Sequence, residues 1–306
     1  MTRTVCIYHA NCADGFTAAW AVYKALGGTV KFVPGVYGEA PPDVTGADVV
    51  IVDFSYKRGV MLEMATRARS VLVLDHHKTA EAELESVPAP RGDWAVHRME
   101  ATYHDDREGP CIAAVFDMER SGAQLAWDYF HRDTGYHAGM ALRRPPLVDY
   151  VADRDLWRFS LPYSRDIAAW VFSHPYDFDA WNRLNATLRH ADGFKRAVAE
   201  GQAINRKHQK DISELLRVAR REMVIGGHRV PVANLPYTMA SDAASRMAEG
   251  APFAACYFDG ADGRVFSLRS RDGGLDVSEI AASYGGGGHR NAAGFRVPLG
   301  WSGDDV

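Results

Sequence analysis

Apolar runs that stop abruptly at an acid or a histidine recur through the first part of the chain. Val71-Leu72-Val73-Leu74 leads directly into Asp75-His76-His77-Lys78. Four apolar residues in a row, two of them β-branched, predict a strand buried on both faces, as in a parallel sheet. Thr4-Val5-Cys6-Ile7-Tyr8 ends in the same way at His9, and Asp48-Val49-Val50-Ile51-Val52 ends at Asp53. Between these runs the pattern predicts helices over 16–26 and 59–69 and a further strand over 30–33. Alternating strands and helices predict an α/β domain with a doubly wound parallel sheet. In such a sheet the strand tips lie along one edge, where open α/β sheets place their chemistry.

Residues 86–110 are polar and rich in Pro, Gly and charge, which predicts a surface insertion. An apolar strand follows at 111–116, then a helix to about residue 131 with Ser121 as its cap. Pro145-Pro146 precedes a helix that carries Asp149, Asp153 and Asp155, and three acids so close together fit either a solvated face or a site edge. The aromatics Trp157, Phe159, Tyr163, Trp170, Phe172, Tyr176, Phe178 and Trp181 fit a base-stacking platform or the core of a loop-rich lobe, and core is expected for most of them. A long helical pattern over 192–222 has one apolar side and one basic side (Arg206, Lys207, Lys210, Arg217, Arg220, Arg221), the usual mark of a solvated face. It predicts a connector helix, dividing the chain into a first domain over 1–190, the connector over 191–222, and a smaller C-terminal α/β domain over 223–306.

The last part changes character. Two hairpins are expected, at 223–233 and 253–271, followed by a short helix from Asp276. Then comes Gly285-Gly286-Gly287-Gly288-His289-Arg290. Four glycines let backbone amides approach an anion, and His289 and Arg290 stand beside them, with Arg269 near the end of a neighbouring strand. The stretch predicts a phosphate-binding loop.

Composition narrows the partners. The 306 residues carry a net charge of −4, which excludes a surface built for long duplex DNA. A nucleic-acid ligand would be short and gripped locally. No apolar run approaches a membrane span, and the chain enters its first strand without a signal-like segment, so no membrane partner is expected. Cys6, Cys12, Cys111 and Cys256 show neither a CxxC pair nor a disulfide-framework spacing, which points to a reducing, cytoplasmic setting.

Asp14 and Gly15 follow the first strand tip closely, so His9, Asp14, Asp53, Asp75, His76 and His77 converge on one sheet edge. Asp14 taken alone is also an ordinary helix-start residue. A His/Asp set without a Cys cluster suits hard or intermediate divalent ions. Two such ions suit in-line displacement at phosphorus, with Asp53 the bridging candidate.

His9 with Asp14-Gly15, Asp53, Asp75-His76-His77 and Asp153 resemble the four motifs of the DHH phosphoesterase superfamily. Gly285 to His289 with Ala292-Ala293-Gly294-Phe295 resembles its accompanying DHHA1 domain, and the resemblance runs over nearly the whole chain. Cys12-Ala13-Asp14-Gly15, 152–157 and 267–270 are most similar to the oligoribonuclease and cyclic-nucleotide phosphodiesterase branch. The resemblance implies an N-terminal DHH domain, a connector helix and a DHHA1 domain. It implies an enzyme that uses two divalent ions, Mn²⁺ with Mg²⁺ or Co²⁺ as alternatives, to hydrolyse short RNA oligonucleotides or small cyclic or linear nucleotides to 5′-mononucleotides. A small-nucleotide phosphatase or pyrophosphatase and a weakly active nucleotide sensor are the alternatives, and a homodimer is compatible with the family.

By carry-over, His9 and Asp53 hold one metal, and Asp14, Asp53, His76 and Asp153 hold the other. The resemblance implies that Asp75 orients His76 and that His77 contacts the scissile phosphate or the leaving group. Gly286, Gly287, Gly288, His289, Arg290 and Arg269 bind substrate. The first motif commonly has an acid where this chain has Cys12, which is the departure that bears on the first metal, and Cys12 enters the metal set on that position alone.

Overall fold

In the computed structural model, which describes residues 3–102, 111–132 and 143–304, the apolar runs form the centre of a parallel sheet. Strand β1 (Thr4–His9), helix α1 (Ala13–Leu26), β2 (Lys31–Gly35), β3 (Asp48–Val52), α2 (Arg58–Arg67), β4 (Ser70–Asp75), α3 (Lys78–Glu83), α4 (Trp94–Thr102), β5 (Ile112–Phe116) and α5 (Gly122–Phe130) follow in order. The strands lie in the order β2-β1-β3-β4-β5 and all pair in parallel. Chain direction across the sheet reverses between β1 and β3, the crevice where doubly wound folds bind ligands.

Alternate residues of the central strands serve opposite faces. Val5, Ile7, Val49, Ile51, Val71 and Val73 pack with Met61 and Met64 of α2. Cys6, Val50, Val52, Leu72 and Leu74 pack with Ala18 and Val22 of α1 and Leu125 of α5. Coverage of both faces is the reason the strands read as unbroken apolar runs.

A helical lobe follows: α6 (Pro146–Asp155), α7 (Ser164–Phe172) and α8 (Phe178–Leu188). Its core joins Trp170 and Trp181 to Phe16 and Trp20 of α1. Most of the other aromatics expected in this core are not in it. Phe172 (47%), Tyr163 (55%) and Tyr176 (43%) are well exposed, and Trp157 and Phe159 are half-buried beneath Arg154 and Arg165, whose guanidinium groups cover their rings. Segment 86–110 is not simply a surface insertion either. Trp94 of α4 is buried in the core, and Arg98 pairs with the buried Asp48; residues 103–110 lie outside the described residues.

Helix α9 (Ala191–Ala219) is followed by β6 (Arg220–Ile225), β7 (His228–Asn234), α10 (Tyr237–Met247), β8 (Ala254–Gly260), β9 (Gly263–Arg269), α11 (Val277–Ser283), β10 (Gly287–His289) and β11 (Ala292–Val297). The chain divides into two compact units, 1–205 and 206–306, with α9 running from one into the other. The second unit is a mixed sheet in the order β10-β11-β9-β8-β7-β6, in which β7 and β8 alone pair in parallel. One face packs on α11 through Phe266, Leu268, Val277 and Ala281, the other on α10 through Ala240, Ala243, Ala244 and Cys256. Among the described residues no helix is long and apolar enough to cross a membrane.

Candidate active site

Three strand tips deliver the acids and histidines, as the sequence pattern predicts. His9 ends β1, Asp53 follows β3, and Asp75-His76-His77 ends and leaves β4. Asp53 is the centre. Its Oδ1 lies 3.0 Å from His76 Nε2 and its Oδ2 3.6 Å from His9 Nδ1. Two donor sets share it: His9, Asp53 and His77, and Asp14, Asp53 and His76, each with ligand atoms within 4.8 Å of one another.

Close approach of backbone makes this possible at two glycines. A β-carbon on Gly15 would meet the His9 carbonyl oxygen at 2.4 Å, and one on Gly122 would meet Asp53 Cβ at 2.4 Å. Asp53 itself has φ 54°, a left-handed conformation of the kind that gathers at functional sites. At the N-terminus of α5, Ser121 caps the helix, and the Ala123 N–H donates to both oxygens of Asp14 at 3.3 and 3.2 Å. A helix N-terminus favours negative charge there.

The electrostatics are those of crowded carboxylates. Burial pushes Asp14 well above the usual carboxylate range, and the charges of Asp53 and Asp155 push the same way. Burial also works to raise Asp53, but the adjacent imidazoles of His76 and His9 outweigh it and hold that carboxyl well below the usual range. Burial would lower His76, yet Asp53, Asp155 and Asp14 carry it up to about 10. Protons are thus shared unevenly among neighbouring groups that cannot all be charged.

This donor set fits divalent cations. Both Asp53 oxygens and His9 Nδ1 are buried without a hydrogen bond of proper geometry, so these acceptors are desolvated and point into a common space. Buried polar groups normally find such partners, and a cation between the oxygens and nitrogens supplies one.

Four carried-over roles change, the first being His77, carried over as a phosphate contact but lying in a donor set with His9 and Asp53. Asp153 stands apart from the donor sets: its carboxylate accepts from the Ser160 N–H at 2.9 Å, the Ser160 hydroxyl at 2.7 Å and the Leu161 N–H at 3.2 Å. It folds the loop after α6. Asp155, two residues on, faces the cluster instead, with Oδ2 3.5 Å from His76 Nε2. The reason is helical geometry, since residues two apart point to different sides. Asp75 orients His77 rather than the His76 ring: its Oδ1 lies 2.7 Å from His77 Nδ1 and accepts from the His76 backbone N–H at 2.8 Å. Cys12 takes the N-cap position of α1 and joins neither donor set, although its thiol is pushed up by burial and by Asp53, Asp155 and Asp14.

In the second unit the glycine run is a hairpin arm and not an open loop. Gly287, Gly288 and His289 pair with Gly294, Ala293 and Ala292. Gly286 packs so tightly that a β-carbon would meet the Gly294 carbonyl oxygen at 2.1 Å. Ala292 also pairs with Arg269, so His289 and Arg269 share one row across the sheet. Arg269 donates to the Ser241 hydroxyl at 2.6 Å, while Arg290 is 62% exposed and 3.7 Å from Asp276.

Sequence reasoning missed Gly122, and it missed Tyr37, whose ring lies against His9 and Phe54. Ser121 was legible as a cap, which marked the helix start without revealing what the start faces.

No family model matches the chain. An uncharacterized protein of Acanthamoeba polyphaga mimivirus is 27% identical over 315 residues, covering 95% of this chain and 66% of the relative, so the chain spans just under two thirds of that protein's length. Among solved structures, the DHH domain of a ribosomal-protein family member superposes with a TM-score of 0.52 at 14% identity, over 96% of this chain and 82% of that one. A pGpG-specific phosphodiesterase of Vibrio cholerae gives a TM-score of 0.45 at 13% identity, over 98% and 94%. The chain thus shares the fold of a DHH-domain protein.

Proposed function

We propose that the protein is a metal-dependent phosphodiesterase that hydrolyses short oligoribonucleotides or small nucleotide diesters to 5′-mononucleotides. The observation that carries this reading is Asp53, buried at the sheet's crevice and shared by two His/Asp donor sets. His9, Asp53 and His77 would hold one divalent ion, and Asp14, Asp53, His76 and Asp155 the other, with Mn²⁺ suited to such mixed nitrogen and oxygen ligands. When bound, such ions supply a nucleophile at neutral pH and neutralise charge at phosphorus.

The chain's own residues do the rest. Asp75 fixes the His77 ring through Nδ1, leaving Nε2 for the cluster. The α5 N-terminus holds Asp14 in place. His289, Arg290 and Arg269 of the second unit would bind an anionic part of the substrate, which suits a short charged ligand. Overall, water adds to phosphorus, the P–O bond to the leaving nucleoside breaks, and that oxygen takes up a proton.

The test is turnover in Mn²⁺ of di- to pentaribonucleotides, cyclic mono- and dinucleotides, 3′-phosphoadenosine 5′-phosphate and pyrophosphate, with Asp53→Asn as control. Cleavage of the diesters, lost in Asp53→Asn by at least ~10³-fold, supports the reading. Cleavage of pyrophosphate alone replaces it with a pyrophosphatase, and no turnover on any of them refutes it.

A further inference from the structure

Tyr37 lies on the connection between β2 and β3, at the same sheet edge as the cluster, and no motif accounts for it. Phe54 is completely buried and lies so close to Gly35 that a β-carbon there would meet its ring at 2.9 Å. Tyr37 packs on that ring at 4.6 Å between centroids. From this base its ring stands edge-on to both imidazoles of one donor set, 5.3 Å from His9 at 72° and 6.4 Å from His77 at 77°. Yet the residue is 48% exposed. A large aromatic side chain built against ligand-bearing histidines and left half open is placed to meet whatever enters.

Its polar end is chemically distinct from its surroundings. No described residue forms a hydrogen bond with the phenolic oxygen. Its ring neighbours His9 and His77 belong to one donor set. A tyrosine is protonated at neutral pH and can donate to an anion without adding charge.

Resting on the phosphodiesterase reading, we propose that Tyr37 contacts the substrate, its hydroxyl donating to a non-bridging oxygen of the phosphoryl group at the His/Asp cluster. The ring, held by Phe54, fixes the direction of that bond.

Tyr37→Phe keeps the ring and its packing and removes only the donor. Expected is a fall in kcat/KM of about 10- to 100-fold for a diribonucleotide and for bis-p-nitrophenyl phosphate alike, the loss due to one hydrogen bond to a charged oxygen. The Mn²⁺-induced rise in Tm should be unchanged, a readout that separates substrate contact from support of His9. A wild-type kcat/KM in Tyr37→Phe overturns the proposal, as does a loss of rate that merely follows loss of the Mn²⁺-induced rise. An inactive wild-type protein refutes the phosphodiesterase reading itself and removes this proposal with it.

Discussion

Gly122 stands against Asp53 so closely that a β-carbon at residue 122 would come within 2.4 Å of Asp53 Cβ and 2.8 Å of its Oδ1. The first residue of α5 therefore sets where the shared carboxylate can be. Gly122→Ala should push Asp53 aside by a fraction of an ångström to an ångström. A displacement of that size lowers kcat by about 100-fold where reacting groups must be aligned. Mn²⁺ affinity, measured by calorimetry, should fall with it, while the circular dichroism spectrum stays that of the wild type.

Asp153 and Asp155 should separate cleanly. Asp155→Asn should weaken metal binding and slow turnover with little change in metal-free Tm, because Asp155 faces His76. Asp153→Ala leaves the Ser160 and Leu161 groups without their acceptor. That should destabilise the fold by about 2 kcal/mol, lowering Tm by roughly 4–8 °C, without a selective loss of metal.

Metal binding should release protons. His76 is raised to about 10 by Asp53, Asp155 and Asp14 against the opposing effect of burial, so it is protonated at pH 8 in the metal-free protein. Asp14 is raised as well. A ligand must shed its proton, so about one or two protons should leave per cluster filled, and apparent affinity should fall as pH falls. Calorimetric enthalpies of Mn²⁺ binding at pH 8 should vary with the buffer's ionisation enthalpy. Enthalpies independent of the buffer would count against the ligand roles of His76 and Asp14.

Cys12→Ser should leave Mn²⁺ affinity and turnover close to those of the wild type. Cys12 occupies the N-cap position of α1 without a side-chain capping bond, and its thiol belongs to neither donor set. A large loss of affinity by calorimetry would show that the sulfur is a ligand after all.

Some of this was legible in the chain and some was not, for physical reasons. His9, Asp53 and His76 could be read because a doubly covered parallel strand is an unbroken apolar run whose end is unmistakable. Asp14 could be read because the turn from β1 into α1 is short. The choice between Asp153 and Asp155 could not, since both sit in the last turn of α6 and only the loop beyond decides which points inward. Helix α10, whose buried side is Ala240, Ala243, Ala244 and Met247, was not read from the sequence. Gly122 and Tyr37 owe their roles to Asp53 and His9, contacts between segments distant in sequence that no local pattern reports. The hairpin pairing of the glycine run was not legible because glycine serves an open loop and a tight hairpin equally well.

The crowding of Asp14 has a thermodynamic consequence. An acid whose folded-state titration lies above its unfolded one makes the fold less stable as pH rises past the unfolded value, and the full penalty is present once the folded group ionises. Asp14 is such an acid, so it burdens the metal-free fold at neutral and alkaline pH. Asn at this position keeps an oxygen for the Ala123 N–H and removes the charge. Metal-free Asp14→Asn should melt above the wild type at pH 8, with the gap closing toward pH 4, and should gain less from Mn²⁺. Selection for activity alone can keep an acid at this position, and a screen for thermostability would discard it early.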